Sequence, residues 1–297
     1  MKSGIVVLKK EEGITSQGAV NRIKRLFGAK KAGHTGTLDP LATGVLPILL
    51  ERGVKASEYM LSSDKYYRAT MLLGITTDTE DITGEVLTRC DTIPTEACVM
   101  EAISSFVGEI KQTPPMYSAL KVGGKKLCDM ARRGIEIERE ARAVTVHSID
   151  AERIDERRYT LDVHCSKGTY IRTLCADIGR ALGTGAVMEA LERTRASVFT
   201  ADDAHTLGEL EEMSEEEREA LIIPVERVFR DYRRVTLPEF FARLAHSGLE
   251  IYLKKIGESA EAGEQISLYD SEGFFALGEV REFPDGLAIK PIKQFRL

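Results

Sequence analysis

Residues 33 to 44 read Gly-His-Thr-Gly-Thr-Leu-Asp-Pro-Leu-Ala-Thr-Gly, and this run constrains the chain more than any other. One acid, Asp39, stands between Leu38 and Pro40. Pro40 fixes its own φ and pushes Asp39 away from helical geometry. Gly33, Gly36 and Gly44 permit backbone angles and close approaches denied to other residues. The expected result is a rigid loop that aims one carboxylate, anchored in the core by Leu46, Ile48, Leu49 and Leu50. By itself an Asp before Pro also reads as a turn cap.

Around this loop the pattern predicts a helix over residues 16 to 28, with Ser16 as cap, Ala19, Ile23 and Leu26 on one face, and Gly28 closing it. A strand is expected over residues 66 to 73 and a second helix over residues 95 to 107. Tyr159, Leu161, Val163 and Cys165 alternate with polar residues as in a half-buried strand. Ile171, Leu174, Cys175, Ile178 and Leu182 then mark a helix, ended by Gly183, with Arg172 off its apolar stripe. Tyr66, next to Tyr67 on a strand, points to the opposite face and is expected in the core. Residues 111 to 142 break the pattern and read as a long surface insertion. After Asp231, short strands at Leu249–Leu253, Gln265–Tyr269, Gly273–Val280 and Leu287–Ile292 suggest a small barrel.

The 297 residues, 43% of them apolar, suit one large domain or two smaller ones. No run of about 18 apolar residues occurs, so no membrane span is expected. The opening residues lack a signal-peptide pattern. Five cysteines without C-x-x-C spacing favour reduced thiols and a cytoplasmic protein. The histidines at 34, 147, 164, 205 and 246 lack ligand spacing, so no metal or cofactor is expected.

The net charge of −6 runs against a nucleic-acid binder, but its distribution is uneven. Residues 202 to 219 hold nine acids against Arg218 alone and read as one solvated helix. Residues 13 to 38 hold no acid and carry Arg22, Lys24, Arg25, Lys30 and Lys31. Such local basic surfaces are what phosphate binding needs. A phosphate-loop enzyme is disfavoured, because no G-x-x-x-x-G-K-[ST] pattern exists.

The Asp39 run resembles the catalytic motif of the TruB family of pseudouridine synthases, and four further stretches match in order. Lys65-Tyr66-Tyr67-Arg68 resembles that family's Lys-x-Tyr-Arg element, and Asp78 to Gly84 its Asp-Thr-x-Asp-x-x-Gly element. Pro114 to Lys121 resembles its substrate-facing insertion, and Ser166 to Arg172 its arginine motif. The resemblance implies an α+β fold: a catalytic domain around a mixed, largely antiparallel sheet over residues 1 to 232, with a thumb insertion near 111 to 142. A PUA-like RNA-binding β-barrel over residues 233 to 297 would follow.

The implied activity is isomerisation of uridine to pseudouridine at position 55, in the T loop of transfer RNA, by a monomer without cofactor. The implied roles are Asp39 as nucleophile, Arg172 as its cation and Tyr67 as the stacking face for a flipped base. His34 would fill the gap left in the RNA. Asp81 would order the network around Tyr67 and Arg172, and Leu191 would pack on the base. Lys65 belongs to the substrate-binding set. Arg22, Lys24, Lys30, Lys31, Lys121, Lys125 and Lys126 are candidates for phosphate contacts. Cys128 stands where the family usually has an aromatic residue. Asp39 would attack C1′ or C6, or drive departure of the base through a glycal; the sequence does not choose. A different class remains open: an RNA-binding or RNA-folding module whose chemistry is secondary.

Overall fold

The computed structural model describes residues 3 to 118 and 120 to 296; the side chains of Lys121 and Lys126 lie outside the described residues. A nine-stranded sheet forms the body. Its main path runs Gly4–Lys10, Thr43–Leu50, Ala186–Ala196, Lys65–Leu73, Arg158–Cys165, Arg142–Arg153, Gly108–Gln112. Ala186–Ala196 and Thr43–Leu50 pair in parallel, at Glu192 with Thr43 and Arg193 with Gly44; every other pairing is antiparallel. The mixed, largely antiparallel sheet is therefore present.

The apolar runs at Gly4–Leu8 and Val45–Leu50 exist because both faces of the sheet are covered. Val6, Leu8, Leu46 and Ile48 join one cluster with Ala19, Ile23, Leu174 and Ile178, where helices Ser16–Leu26 and Ile171–Ala181 pack. Ile5, Val7, Val45 and Leu49 turn the other way and meet Phe229, Leu277 and Phe295. Leu277 belongs to a second, five-stranded sheet ordered Arg233–Thr236, Gln265–Asp270, Gly273–Phe283, Gly286–Gln294, Ile251–Tyr252, and Phe295 follows its strand Gly286–Gln294. This curled sheet is the PUA-like unit; its two end strands do not pair, so it is a half-barrel.

Several local expectations change. Thr15, not Ser16, caps the first helix by accepting from the Gly18 amide. Ser16 instead exchanges two hydrogen bonds with the Leu38 backbone at 2.8 and 2.9 Å, tying the helix start to the Asp39 loop. The second helix is shorter, Glu96–Ser104, because a turn at Ser105–Val107 precedes Gly108. The acidic stretch is two short helices, Leu207–Glu212 and Glu215–Ala220. Thr206 with Glu209 and Ser214 with Glu217 each form a capping box, and the second box restarts the chain where one helix was expected.

In the C-terminal unit the strand Arg233–Thr236 and the helix Glu239–His246 escape the sequence pattern. The insertion is more ordered than a loop: a hairpin, Lys121–Val122 with Lys125–Lys126, turns at two positive-φ glycines and leads into helix Leu127–Ala131. Its ends are neighbouring strands of the main sheet, so it projects from one edge. No described helix is long and apolar enough to cross a membrane.

Candidate active site

The Asp39 loop is held from below by two buried cations. Lys10, at the end of the first strand, is 1% exposed. Its Nζ donates to the carbonyls of Glu11 at 2.8 Å, Pro40 at 3.3 Å and Ala42 at 2.5 Å. Burial pulls its pKa down to about 8, against the attraction of Asp39. Arg193, also 1% exposed, donates from Nε to Val45 O at 2.8 Å and from both terminal nitrogens to Gly36 O at 3.3 Å. The loop must come close for this. Gly44 has φ +97°, and a Cβ there would lie 2.3 Å from Arg193 O, so only glycine fits.

The Asp39 carboxylate meets Arg172 Nε at 3.0 Å. Arg172 opens the helix Ile171–Ala181, yet only 5% of its side chain is exposed, against 36% for Asp39. Being off the apolar stripe therefore sends it inward, not into solvent. Its remaining donors reach Asp81 Oδ2 at 3.4 Å, Thr79 O at 3.1 Å and Tyr117 O at 2.7 Å. Asp81, 5% exposed, is itself fixed by the Thr79 hydroxyl and by the amide and hydroxyl of Thr83. Even with this guanidinium beside it, burial pushes the Asp39 carboxyl above its ordinary range; Arg172 and Lys10 oppose the rise and Asp81 adds to it. Arg172 orients Asp39 without fully offsetting its desolvation.

Asp39, Tyr67, Arg172 and Leu191 line one cleft of about 320 Å³, together with Lys65, Arg193, Tyr170 and the Ser166–Thr169 turn. Tyr67 lies directly across the strand pair from Arg193. Burial raises the Tyr67 hydroxyl's pKa, opposed by that guanidinium. A carboxylate, a cation and a phenol thus face a single hollow large enough for one small planar group.

The structure gathers the three principal candidates and Leu191, and places Asp81 behind Arg172. It does not bring Asp81 to Tyr67; Arg193 occupies that place. Lys65 lines the cleft, but its ammonium is consumed by the carbonyls of Met60, Leu61 and Ser63 at 3.1, 3.0 and 2.5 Å, so it closes the helix Ser57–Ser62. Burial lowers its pKa to about 8. His34 sits half-buried on the short strand Ala32–His34 outside the cleft wall. Arg22, Lys24, Lys30, Lys31 and Lys125 are exposed outside the cleft.

One further expectation needs correction, and one cluster was not foreseen. Tyr66 is not core: it stacks on His164 at 4.0 Å between ring centroids and carries Arg195 on its ring. His147 and His164, without ligand spacing in the sequence, converge on Asp64. Sequence reasoning also missed Lys10 and Arg193, since a lysine ending a strand and an arginine in an alternating strand both read as surface.

Comparison with known proteins agrees with the geometry. Residues 24–171 match the model of the "TruB family pseudouridylate synthase (N terminal domain)", and residues 172–230 the "tRNA pseudouridylate synthase B C-terminal domain". The chain is 41% identical over 278 residues to tRNA pseudouridine synthase B of Clostridium tetani, covering 93% of this chain and 95% of that one. It is 43% identical over 277 residues to the Methylobacillus flagellatus protein of the same name, covering 93% and 90%. Among solved structures, a Cbf5-Nop10-Gar1 complex aligns with TM-score 0.73 and 28% identity, covering 98% of this chain and 84% of that one. An H/ACA RNP bound to a substrate RNA containing 2′-deoxyuridine aligns with TM-score 0.73 and 25% identity, covering 99% and 85%. With both family models and relatives 41% and 43% identical over 93% of the chain in agreement, the chain belongs to the TruB family of pseudouridylate synthases.

Proposed function

We propose that this protein is a tRNA pseudouridine synthase that isomerises a T-loop uridine, with Asp39 as nucleophile and the target base flipped into the cleft. The observation that carries the reading is the Asp39 carboxylate, 3.0 Å from Arg172 Nε, at the wall of a hollow shared with Tyr67 and Leu191. The reaction breaks the bond from ribose C1′ to N1 of uracil and remakes it to C5. The C5 proton leaves and N1 gains one from solvent, so no electron carrier is needed.

A carboxylate forms a covalent adduct at C1′ or C6, or removes the C2′ proton to give a glycal; each route uses the anion that Arg172 orients. Tyr67 offers its ring to the everted base, and its hydroxyl relays the departing C5 proton to solvent, passing on its own proton as it accepts the other. The exposed bases Arg22, Lys24, Lys30, Lys31 and Lys125 sit where backbone phosphates are neutralised without touching the chemistry. The segment 113 to 141 acts as the thumb and the C-terminal half-barrel as an RNA-binding unit, in a monomer working in the cytoplasm.

Tritium at C5 of the uracil in a T-arm hairpin tests this. Wild type releases it to water; a hairpin lacking the target uridine gives none. Release by Asp39→Asn at the wild-type rate would refute the nucleophile. The RNA-folding alternative predicts that refolding of transfer RNA survives in the same variant.

A further inference from the structure

We infer that Asp64, His147 and His164 form a binding site for a zinc-class divalent ion, on the face of the sheet opposite the cleft. The three side chains come from separate places: the turn after helix Ser57–Ser62, strand Arg142–Arg153 and strand Arg158–Cys165. Their donor atoms all lie within 4.8 Å of one another.

A β-bulge makes this possible. The pairing of the two strands slips between Val146 and Ser148, so His147 is the extra residue beside the partner His164. A bulge re-aims a side chain that regular alternation would turn away. Val146 stays in the core at 0% exposure, while His147 and His164 lie on one face with ring centroids 4.4 Å apart.

The distances of the carboxylate from both rings suit a shared ion. One carboxylate oxygen, Asp64 Oδ2, stands 3.2 Å from Nε2 of both imidazoles. Charge-assisted hydrogen bonds contract to about 2.7–2.9 Å, as His246 and Asp270 do at 2.9 Å in this same chain. Ligands about 2.0–2.1 Å from a tetrahedral ion stand roughly 3.3 Å apart. Two imidazoles and a carboxylate suit zinc, copper or nickel rather than magnesium or calcium. The ligand side chains are 44%, 37% and 25% exposed for Asp64, His147 and His164, which leaves coordination positions for water.

Tyr66 stacked on His164 fixes that ring, with Arg195 as the neighbouring cation beyond it. Tyr66 pairs with His164 across the strands, and the next residue, Tyr67, faces the cleft. The ion therefore does not touch substrate. It clamps the Ser62–Asp64 turn onto the sheet just where the strand bearing Tyr67 begins.

Titration of the full chain with cobalt(II) tests the site. The expected result is one equivalent bound, visible-region bands of a low-symmetry ion, and no sulfur charge-transfer band. Zinc should displace the cobalt and raise the melting temperature. His147→Gln, a change at a partly exposed position, should weaken binding at least ~10-fold while circular dichroism and tritium release without added metal remain those of wild type. His164→Gln should weaken binding likewise. Failure to bind one equivalent overturns the proposal. So does binding that survives both substitutions, or a sulfur band assigning the metal to Cys90, Cys98 or Cys128.

Discussion

The floor of the cleft and the segment that projects over its edge are built on opposite plans. In the floor, Lys10, Arg172 and Arg193 are almost wholly enclosed, and most of their donors end on main-chain carbonyls or carboxylates. The segment from 113 to 141 has a small core of its own, Met116, Leu127 and Met130, with a two-rung hairpin beside it. The floor fixes atoms to within hydrogen-bond tolerance, as positioned chemistry requires. Among its described residues the segment has few apolar contacts to hold one arrangement, as expected of a unit of low local stability. Arg172 joins the two, since it holds Asp39 on one side and the Tyr117 carbonyl on the other.

The largest expected effect lies in the floor. Asp39→Asn should lower tritium release by at least ~10³-fold with hairpin affinity retained. The same variant reports the energetic cost of the site. Burial raises the Asp39 pKa above its ordinary 3.8, so its contribution to stability is fully present below that value and is lost as pH rises through the folded pKa. The variant should melt above wild type at neutral pH, and the difference should close below pH 3.8. A melting temperature equal to wild type at both pH values would remove the claim that the floor is strained for function.

Arg172→Lys comes next. Lysine is a point charge and cannot span Asp39, Asp81 and the Tyr117 carbonyl together. Turnover should fall ~10²-fold, and KM should rise as the joint to the segment is lost. A change in turnover alone would show that the floor and the segment are independent.

Leu127→Ala probes the segment, where Leu127 is 1% exposed. It should cost ~2–5 kcal/mol locally, seen as faster hydrogen exchange in the segment and a higher KM. The global melting temperature and turnover should hold. A clear drop in melting temperature would mean that the segment folds as one with the floor. The smallest effect belongs to Lys125→Ala on the exposed hairpin. KM should rise modestly and uniformly across transfer RNA substrates, and the slope of log affinity against log salt should flatten by about 0.7–0.9.

Much of this contrast was legible beforehand, and the exceptions share a cause. Helix Ser16–Leu26, strand Lys65–Leu73 and strand Arg158–Cys165 follow from apolar spacing within ten or so residues. Asp39, Tyr67 and Arg172 could be named because their motifs resemble a known family. Lys65 was named for the same reason, but its ammonium went to helix-end carbonyls. The helix Glu239–His246 was hidden because its Phe240 is exposed and blurs the apolar stripe. The convergence of His147 with His164 was invisible because a bulge, not spacing, put them on one face.

The sequence alone determined a rigid loop presenting one acid, an apolar run that anchors the loop in the core, and basic surface beside it. Those are properties of neighbours along the chain, and local periodicity and backbone restriction encode them. Only the tertiary structure decided which cations are buried and which way the acid's pKa moves. Lys10 finds the Ala42 carbonyl 32 positions away, and Arg193 finds Val45 at a distance of 148. A charged group's environment is the sum of burial and of partners from other elements, and no window of sequence contains that sum.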